Sequence, residues 1–308
     1  MNNTNLDAIK ITAKKNKMKK DKVIFLITAM ALPLIQFFIM YVMVNANSIL
    51  LSFKDYNGDG TFSFVGFKHF GQVLKDFSSV SAMKIMLENS IIMYLVTSPL
   101  MIVACMLLAY TIWKKVLFSK FFSVILFLPS ILPSLIFVIL GNFVFKNLVP
   151  AITGIPEHGE MLNPPQGFIT LLWYQFFVSF GPNTIYFLGS MSNISPSVVE
   201  AGKLDGANSF REFIHIVFPS IFPTLTSLIV VGFVSIFNNQ GYILAFYGVQ
   251  ASDSVKTFGY YIYTRVKNAV NYYDYPYTAA MGMIFTIIAI PVVLLIRHLM
   301  EKFGPSED

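Results

Sequence analysis

EAGKLDGANSFREFIHIVFPSIFP, residues 200 to 223, is a short polar stretch set between two long apolar ones, and its reading decides what kind of chain this is. Ser195 followed by Pro196 begins a short helix just ahead of it, because a serine hydroxyl can satisfy an orphan amide and proline is pre-set for the first helical position. Asp205-Gly206 then breaks that helix, since glycine tolerates the backbone angles of a tight turn. A second helix follows. Ser209 and Glu212 have capping-box spacing, and Phe210, Phe213, Ile214, Val217 and Phe218 fall on one helical stripe that ends at Pro219. Arg211, Glu212 and His215 take the opposite face. The small residues Ala201, Gly202, Gly206 and Ala207 leave the backbone open to close approach by a partner. An amphipathic loop lying on lipid headgroups is the alternative, but interfacial helices are usually rich in Lys and Arg, and only Lys203 and Arg211 occur here.

Composition agrees with a loop between membrane spans. With 55% hydrophobic residues, 12% charged residues and a mean hydropathy of +0.64 over 308 residues, the chain reads as an integral membrane protein. Its net charge of +6 could suggest nucleic acid, yet seven of the 22 basic residues lie between Lys10 and Lys22, just ahead of the first apolar run. Positive-inside topology accounts for them more simply, and no nucleic acid is expected. Cys105 is the one cysteine, which excludes an intramolecular disulfide framework and a multi-cysteine metal site. His69, His158, His215 and His298 are scattered without metal-ligand spacing.

The N-terminus imitates a signal peptide, with a Val44-Asn45-Ala46 triplet after its apolar run. That run covers residues 23–44, longer than the core of about 7–15 residues usual for a signal peptide, so an uncleaved first span is expected. Six stretches have the roughly 20 apolar residues a span needs: 23–51, 85–112, 118–145, 167–191, 219–237 and 277–296. An even count returns both termini to one side. If that side is the cytoplasm, it collects the basic tail together with Lys114, Lys115, Lys120, Lys203, Arg211, Arg297 and Lys302, which is 14 of the 22 basic residues. The expected organisation is a cytoplasmic basic tail (1–22), a transmembrane domain (23–300) holding the polar loop (195–223), and a short cytoplasmic tail (301–308). Pro33, Pro99, Pro129, Pro133, Pro182 and Pro291 within the spans imply kinked helices.

Polar groups in apolar spans are costly and mark a pathway. In the fourth span Gln175, Ser179 and Asn183 recur every four residues and share one helical face. The fifth span ends in Asn238-Asn239-Gln240, with Tyr242 close behind. Amides and tyrosines suit a neutral, hydroxyl-rich ligand, offering donors, acceptors and an aromatic surface without a fixed charge. Helix–helix hydrogen bonding explains each of these residues equally well. Eight of the 15 tyrosines fall between Tyr247 and Tyr277, as an interfacial aromatic belt would place them, with ligand or partner docking as the alternative. Acidic residues are nearly absent from the spans, Glu88 at the edge of the second excepted, which disfavours a proton-coupled pump.

The spacing Glu-Ala-Gly, Asp-Gly-Ala, Phe, Ile and then two prolines four residues apart resembles the EAA signature of ABC-importer permeases. The segments SFKDYN and FVGFKHF, between Ser52 and Phe70, resemble the outer-loop opening of carbohydrate-uptake permeases. Asn238-Asn239 matches an asparagine pair of the maltose-type sugar permeases, one member of which contacts substrate, and Gly232 and Ile236 stand where such families often carry polar residues. The resemblance implies an all-α membrane protein of type I permease architecture, six spans and a cytoplasmic coupling helix between spans four and five. It implies an ATPase contact at Glu200, Ala201, Gly202, Asp205, Gly206, Ala207 and Arg211. The implied partners are a second permease subunit, two ATPase subunits, an extracellular or periplasmic solute-binding protein and the lipid of a bacterial plasma membrane. No GxxxxGK[ST] loop occurs in the chain, so ATP and Mg are expected on the ATPase and no cofactor on this subunit.

The function these features imply is a translocation path for a neutral sugar or oligosaccharide. A permease for another small nutrient, such as a polyol phosphate or a peptide, is the nearest alternative. A membrane-embedded enzyme would need a catalytic cluster within the spans, and none is visible. A channel would show a repeated filter segment or a charged ring, which is also missing.

Overall fold

The computed structural model describes residues 20, 22–131, 133–154, 162–163, 166–268 and 272–305. The basic residues from Lys10 to Lys19, His158 and the last three residues lie outside this set. Apolar runs become helices because a backbone in hydrocarbon finds no water, so each amide and carbonyl must be satisfied within its own segment.

Helix α1 (Lys22–Leu51) carries a π turn at Phe38–Met43 and buries none of its apolar stretch within the chain. Only its end is tied in, where the fully buried Ser52 donates to the carbonyl of Ile49 at 2.6 Å and to Met283 Sδ at 3.0 Å. An antiparallel hairpin follows, β1 (Lys54–Tyr56) against β2 (Phe62–Phe64), with Asp55 opposite Ser63. It adds a small sheet to the all-α expectation. Its turn needs Gly58 and Gly60, both at φ 90°, and is pinned by Asp59, whose carboxylate accepts from the Thr61 amide at 2.9 Å. Helix α2 (Lys68–Ser79) leads into α3 (Ser81–Trp113), which contains the expected second span.

The third span departs from the expected 118–145. Two helices stand there, α4 (Ser119–Ile131) and α5 (Ser134–Phe143), and the second runs on through a π turn (Val144–Leu148) to Thr153. Pro133 sits between them with ψ 135° and, having no amide, cannot continue the ladder of the first helix. The span-length apolar segment is therefore Leu135–Thr153.

Next come α6 (Gln166–Ser192), α7 (Pro196–Leu204) and α8 (Ser209–Glu212). Through a π turn (Phe213–Val217), α8 continues into α9 (Phe218–Asn238). Helices α10 (Ile243–Tyr247), α11 (Phe258–Lys267) and α12 (Asp274–Phe303) complete the chain. Among the described residues, five helical segments are long and apolar enough to cross a membrane: Lys22–Leu51, Ser81–Trp113, Leu135–Thr153, Ser209–Tyr247 and Asp274–Phe303. Helix α6 has 27 residues, length enough, but Gln175, Ser179, Pro182 and Asn183 dilute its apolar character.

Helices α3, α6 and α9 form the packed centre. Below the polar loop, Cys105 and Ala109 of α3 meet Phe187 and Met191 of α6 and Val217 and Ile221 at the start of α9, all fully buried. At the other end of the bundle Val73, Phe258, Tyr277, Met281 and Phe285 pack together. A third cluster joins Met93 and Leu171 to Ile243, Val255 and Tyr260 and holds the segment after α9 against α3 and α6.

The tyrosine-rich segment is only in part a belt. Tyr272 and Tyr273 are about half exposed. Tyr260 is fully buried and donates to the Gly248 carbonyl at 2.7 Å, Tyr247 donates to the Leu162 carbonyl at 2.6 Å, and Tyr277 donates to Asp76 at 2.7 Å. These three use the phenol as a structural tie, which leaves a ring buried and its hydroxyl satisfied.

Candidate functional site

The polar loop is built as two short helices around a glycine turn. Helix α7 begins at Pro196, but the Ser195 hydroxyl pairs with Ser197 Oγ at 2.7 Å and caps no amide. Gly206 takes φ +75°, as the Asp205-Gly206 break requires, and a methyl group placed there would meet no atom within 4 Å. What the glycine supplies is therefore backbone conformation together with a bare, open surface. Around it Glu200, Ala201, Lys203, Asp205 and Arg211 are exposed, and Gly202 and Ala207 are half-buried.

The second helix turns differently from the expected stripe. Its cap is Asn208, whose side chain accepts from the Arg211 amide at 2.9 Å, and Ser209 is the first helical residue instead. Phe210 is 73% exposed, while Glu212, expected on the polar face, is 2% exposed. The π turn is the reason. Its wider winding shifts the phase between Phe210 and Val217, so an even 3.6-residue count misplaces the first half. Leu204 at the end of α7 and Phe210 and Ile214 beyond it join the exposed polar residues in presenting a mixed apolar and charged surface outward.

Glu212 is instead held by the end of α3. Lys114 Nζ donates to both carboxylate oxygens, at 2.7 and 2.8 Å, and the Tyr110 hydroxyl donates to the Ser209 carbonyl at 2.9 Å. The Tyr110 ring meets that of Phe213 edge-on, with centroids 5.0 Å apart.

The expected pathway residues separate into three groups. Gln175 and Asn239 stand together at the junction of two cavities. The inner, of about 80 Å³, is walled by Ser90, Tyr94, Thr97 and Ser98 of α3 and by Gly232 and Ser235 of α9. The outer, of about 530 Å³, is lined by Gln175, Asn239, Gln240, Tyr242, Leu244 and Ala245. Tyr242 belongs here, with its ring edge-on to Tyr174 at 5.1 Å. Ser179 and Asn183 form the second group and border neither cavity. Gln175 donates to Ser179 Oγ at 3.2 Å and Asn183 to the Ser179 carbonyl at 2.7 Å, so the shared face is satisfied largely along its own helix. Asn238 is the third. It faces a separate, apolar groove with Val234, Phe237 and Ile262.

Local structure explains why Asn239 reaches the junction. It ends α9, and its Oδ1 accepts from the Gly241 amide at 2.8 Å, closing a tight turn. Gly241 at φ 56° and Tyr242 at φ 61° then reverse the chain into α10. Thr257 donates to the Asn239 carbonyl at 2.8 Å, and Gly259 lets α11 press directly on the backbone of 238–239. The Gln175 carbonyl oxygen is buried without a partner among the described residues, an expensive arrangement for a packing residue and a serviceable one for a group awaiting a donor. Gly232 and Ile236 both line the inner cavity, so their apolar character bears directly on what the cavity can hold.

Sequence reading missed the α3 wall. Ser90, Tyr94, Thr97 and Ser98 stand at i, i+4, i+7 and i+8, the same periodic polar signal that was followed in α6. It also missed Lys114, which had served only as a marker of sidedness.

Comparison with known proteins places this architecture. The polygalacturonan/rhamnogalacturonan transport system permease protein of Bacillus subtilis (strain 168) is 24% identical over 94% of this chain and 90% of its own length. The sn-glycerol-3-phosphate transport system permease protein of Agrobacterium fabrum is 26% identical over 78% of this chain and 82% of its own. A chain in the crystal structure of a bacterial ABC transporter that imports the acidic polysaccharide alginate has the same fold, with a TM-score of 0.72 at 20% identity over 94% of this chain and 99% of that one. The family profile described as binding-protein-dependent transport system inner membrane component matches residues 101–306, which include the polar loop, α6, α9 and the outer cavity. The chain belongs to that family, the membrane-embedded permeases of binding-protein-dependent transport systems.

Proposed function

We propose that this subunit carries a neutral oligosaccharide through the junction between Gln175 and Asn239, driven by a separate ATPase that grips the loop at residues 200–219. The observation that carries the solute class is the lining of the outer cavity: amides, a tyrosine and small or apolar residues, with no charged side chain among them. Its size falls within the roughly 300–1,000 Å³ usual for small-molecule sites. Relatives are named for an acidic polysaccharide and for glycerol phosphate, whereas this lining carries no basic side chain to pair with an anionic solute.

The loop reading rests on its bare glycine turn, its exposed Glu200, Asp205 and Arg211, and the outward Leu204 and Phe210. These are the ingredients of a protein contact, an apolar centre with a charged rim. The same reading gives six spans, with α6 as the polar-lined fourth and both termini beside the loop in the cytoplasm of a bacterial cell. A second permease would complete the path, a pair of ATPases would hold ATP and Mg, and an external binding protein would deliver the solute.

The deciding experiment screens the binding protein encoded with this subunit against neutral and uronic oligosaccharides by thermal shift, then measures uptake of the selected sugar in proteoliposomes. Asn239→Ala should lower affinity by about 1–3 kcal/mol, from one lost amide partner, without loss of assembly. A binding protein that selects only anionic sugars refutes the neutral reading. Full uptake at subsaturating sugar by an Asn239→Ala, Gln175→Ala variant removes these amides from the path.

A further inference from the structure

Besides its exposed face, the loop has a buried anchor that an ATPase contact does not use. Glu212 has a side chain only 3% exposed and Lys114 one 22% exposed, whereas the surface pair Arg297–Glu301 is 64% and 57% exposed. A carboxylate so sheltered is not a solvated ornament, since without its lysine it would be a stranded charge. Lys114 is the C-cap of α3, and Glu212 is the last residue of α8 before the π turn that carries the chain into α9. The ammonium also lies 6.0 Å from the ring centre of Tyr110 and 5.9 Å from that of Trp113, so α3 surrounds it on more than one side.

We infer that Lys114 and Glu212 form a clamp that makes α3 and α9 move together with the loop, passing a push on the loop to two walls of the cavity at once. The inference rests on the loop being the ATPase contact. From α8 through the π turn to the end of α9 the chain is one continuous helical rod, Ser209–Asn238, and the clamp fastens the root of that rod to the end of α3. Higher up, the Tyr94 hydroxyl donates to the Ile229 carbonyl at 3.2 Å and ties the same two helices a second time. The inner cavity lies just beyond that tie, with Ser90, Tyr94, Thr97 and Ser98 on the α3 side and Gly232, Ser235 and Asn239 on the α9 side. Gln175, on α6, is the opposing wall. Fastened in this way, α3 and α9 move together, and the Gln175–Asn239 junction opens or closes with them. Lys114 and Glu212 touch no solute and are positioning residues.

The test needs no solute. In a Cys105→Ser chain, Ala245→Cys reports on the outer cavity through its rate of reaction with a membrane-impermeant maleimide. The chain is assembled with its second permease and ATPases, and labelling is compared with and without ATP. Lys114→Met should keep the ATPase bound but shrink the ATP-dependent change in labelling rate about tenfold, a typical size for lost coupling between sites. Lys114→Met with Glu212→Gln, which strands no charge and so guards against misfolding, should show the same loss. Lys114→Arg, which keeps the charge, should restore most of the change. Full ATP-dependent change in both uncharged variants overturns the clamp. Loss of the ATPase from those variants also overturns it, because the pair would then act on docking. If Gly206→Asp still binds ATPase and still shows the change, it is the docking reading that fails, and the transmission role falls with it.

Discussion

Gly259→Ala is the sharpest test of how Asn239 is held. A methyl group on residue 259 would stand 2.5 Å from the carbonyl carbon of Asn238, 2.7 Å from the carbonyl oxygen of Asn239 and 2.8 Å from that of Asn238, where ordinary contact begins at 3.4 Å. All three are backbone atoms, so no side chain can swing aside. The largest shortfall, 3.4 less 2.5, means α11 must retreat by roughly 0.9 Å. That retreat pulls Thr257, two residues away, off the Asn239 carbonyl it now meets at 2.8 Å. Overpacking of this kind costs about 1–3 kcal/mol, and at about 2–4 °C per kcal/mol the melting temperature should fall by about 2–12 °C. Gly71→Ala is the matched control. It lies in the exposed face of α2, has no atom within 4 Å of the added methyl, and should gain about 0.5–1 kcal/mol of helix propensity. Thermal unfolding of the full chain in detergent micelles reads both. A Gly259→Ala protein that melts with the parent, or a Gly71→Ala protein that falls as far as Gly259→Ala, would refute this account of the packing around Asn239.

Two further outcomes follow from the loop and the hairpin. In a Cys105→Ser background, Lys203→Cys should react with an impermeant maleimide only in inside-out vesicles, and labelling in intact cells would reverse the proposed sidedness. Lys68, hydrogen-bonded to Asp55, holds that carboxyl below its usual value, with the nearby charges of Lys68 and His69 adding to the effect. A carboxyl whose folded value is depressed stabilises the fold above its unfolded value near 4, and that contribution is lost as pH falls through the folded one. The pair is partly exposed, so the contribution is under about 1 kcal/mol, and Asp55→Asn should lower stability by that amount at pH ~7 and converge on the parent below pH ~4, which flattens the acid limb of the thermal stability profile. An unchanged acid limb in that variant would assign the acid loss elsewhere.

What the sequence made legible was local. The Asp205-Gly206 break could be read because a positive φ leaves glycine as nearly the only choice, and Gly206 adopts one. The apolar runs could be read because hydrocarbon forces helix on them, although Pro133 divides one run in a way that composition does not show. The faces of the loop's second helix were lost to the π turn, since a count of 3.6 residues per turn assumes the regular winding that Phe213–Val217 abandons. The expectation for Gln175, Ser179 and Asn183 was right in its periodicity. Yet an i, i+4 spacing is also the spacing at which side chains bond along their own helix, so sequence could not separate the cavity-facing member from the other two.

The buried pair shows where such reading ends. Lys114 and Glu212 are 98 residues apart in the chain, and each looks ordinary alone: a basic residue beside a span, an acidic residue in a polar loop. Only the packing of α3 against α9 brings them together, and that packing is set by Cys105, Ala109, Val217 and Ile221, none of which is charged. The apolar core thus decides which charges meet. It follows that a change in the core beneath the loop should act on the clamp before it acts on the cavity. Ala109, fully buried at this contact, tests the order: Ala109→Leu would spread α3 from α9 at the loop end and part Lys114 from Glu212, while the wall at Ser90 and Tyr94, four to five turns away along α3, keeps its place. The observable is the Ala245→Cys labelling described above. Its rate without ATP should match the parent's, and its response to ATP should shrink as it does in Lys114→Met. An altered rate without ATP would mean that the cavity walls depend on the core directly and not through the clamp.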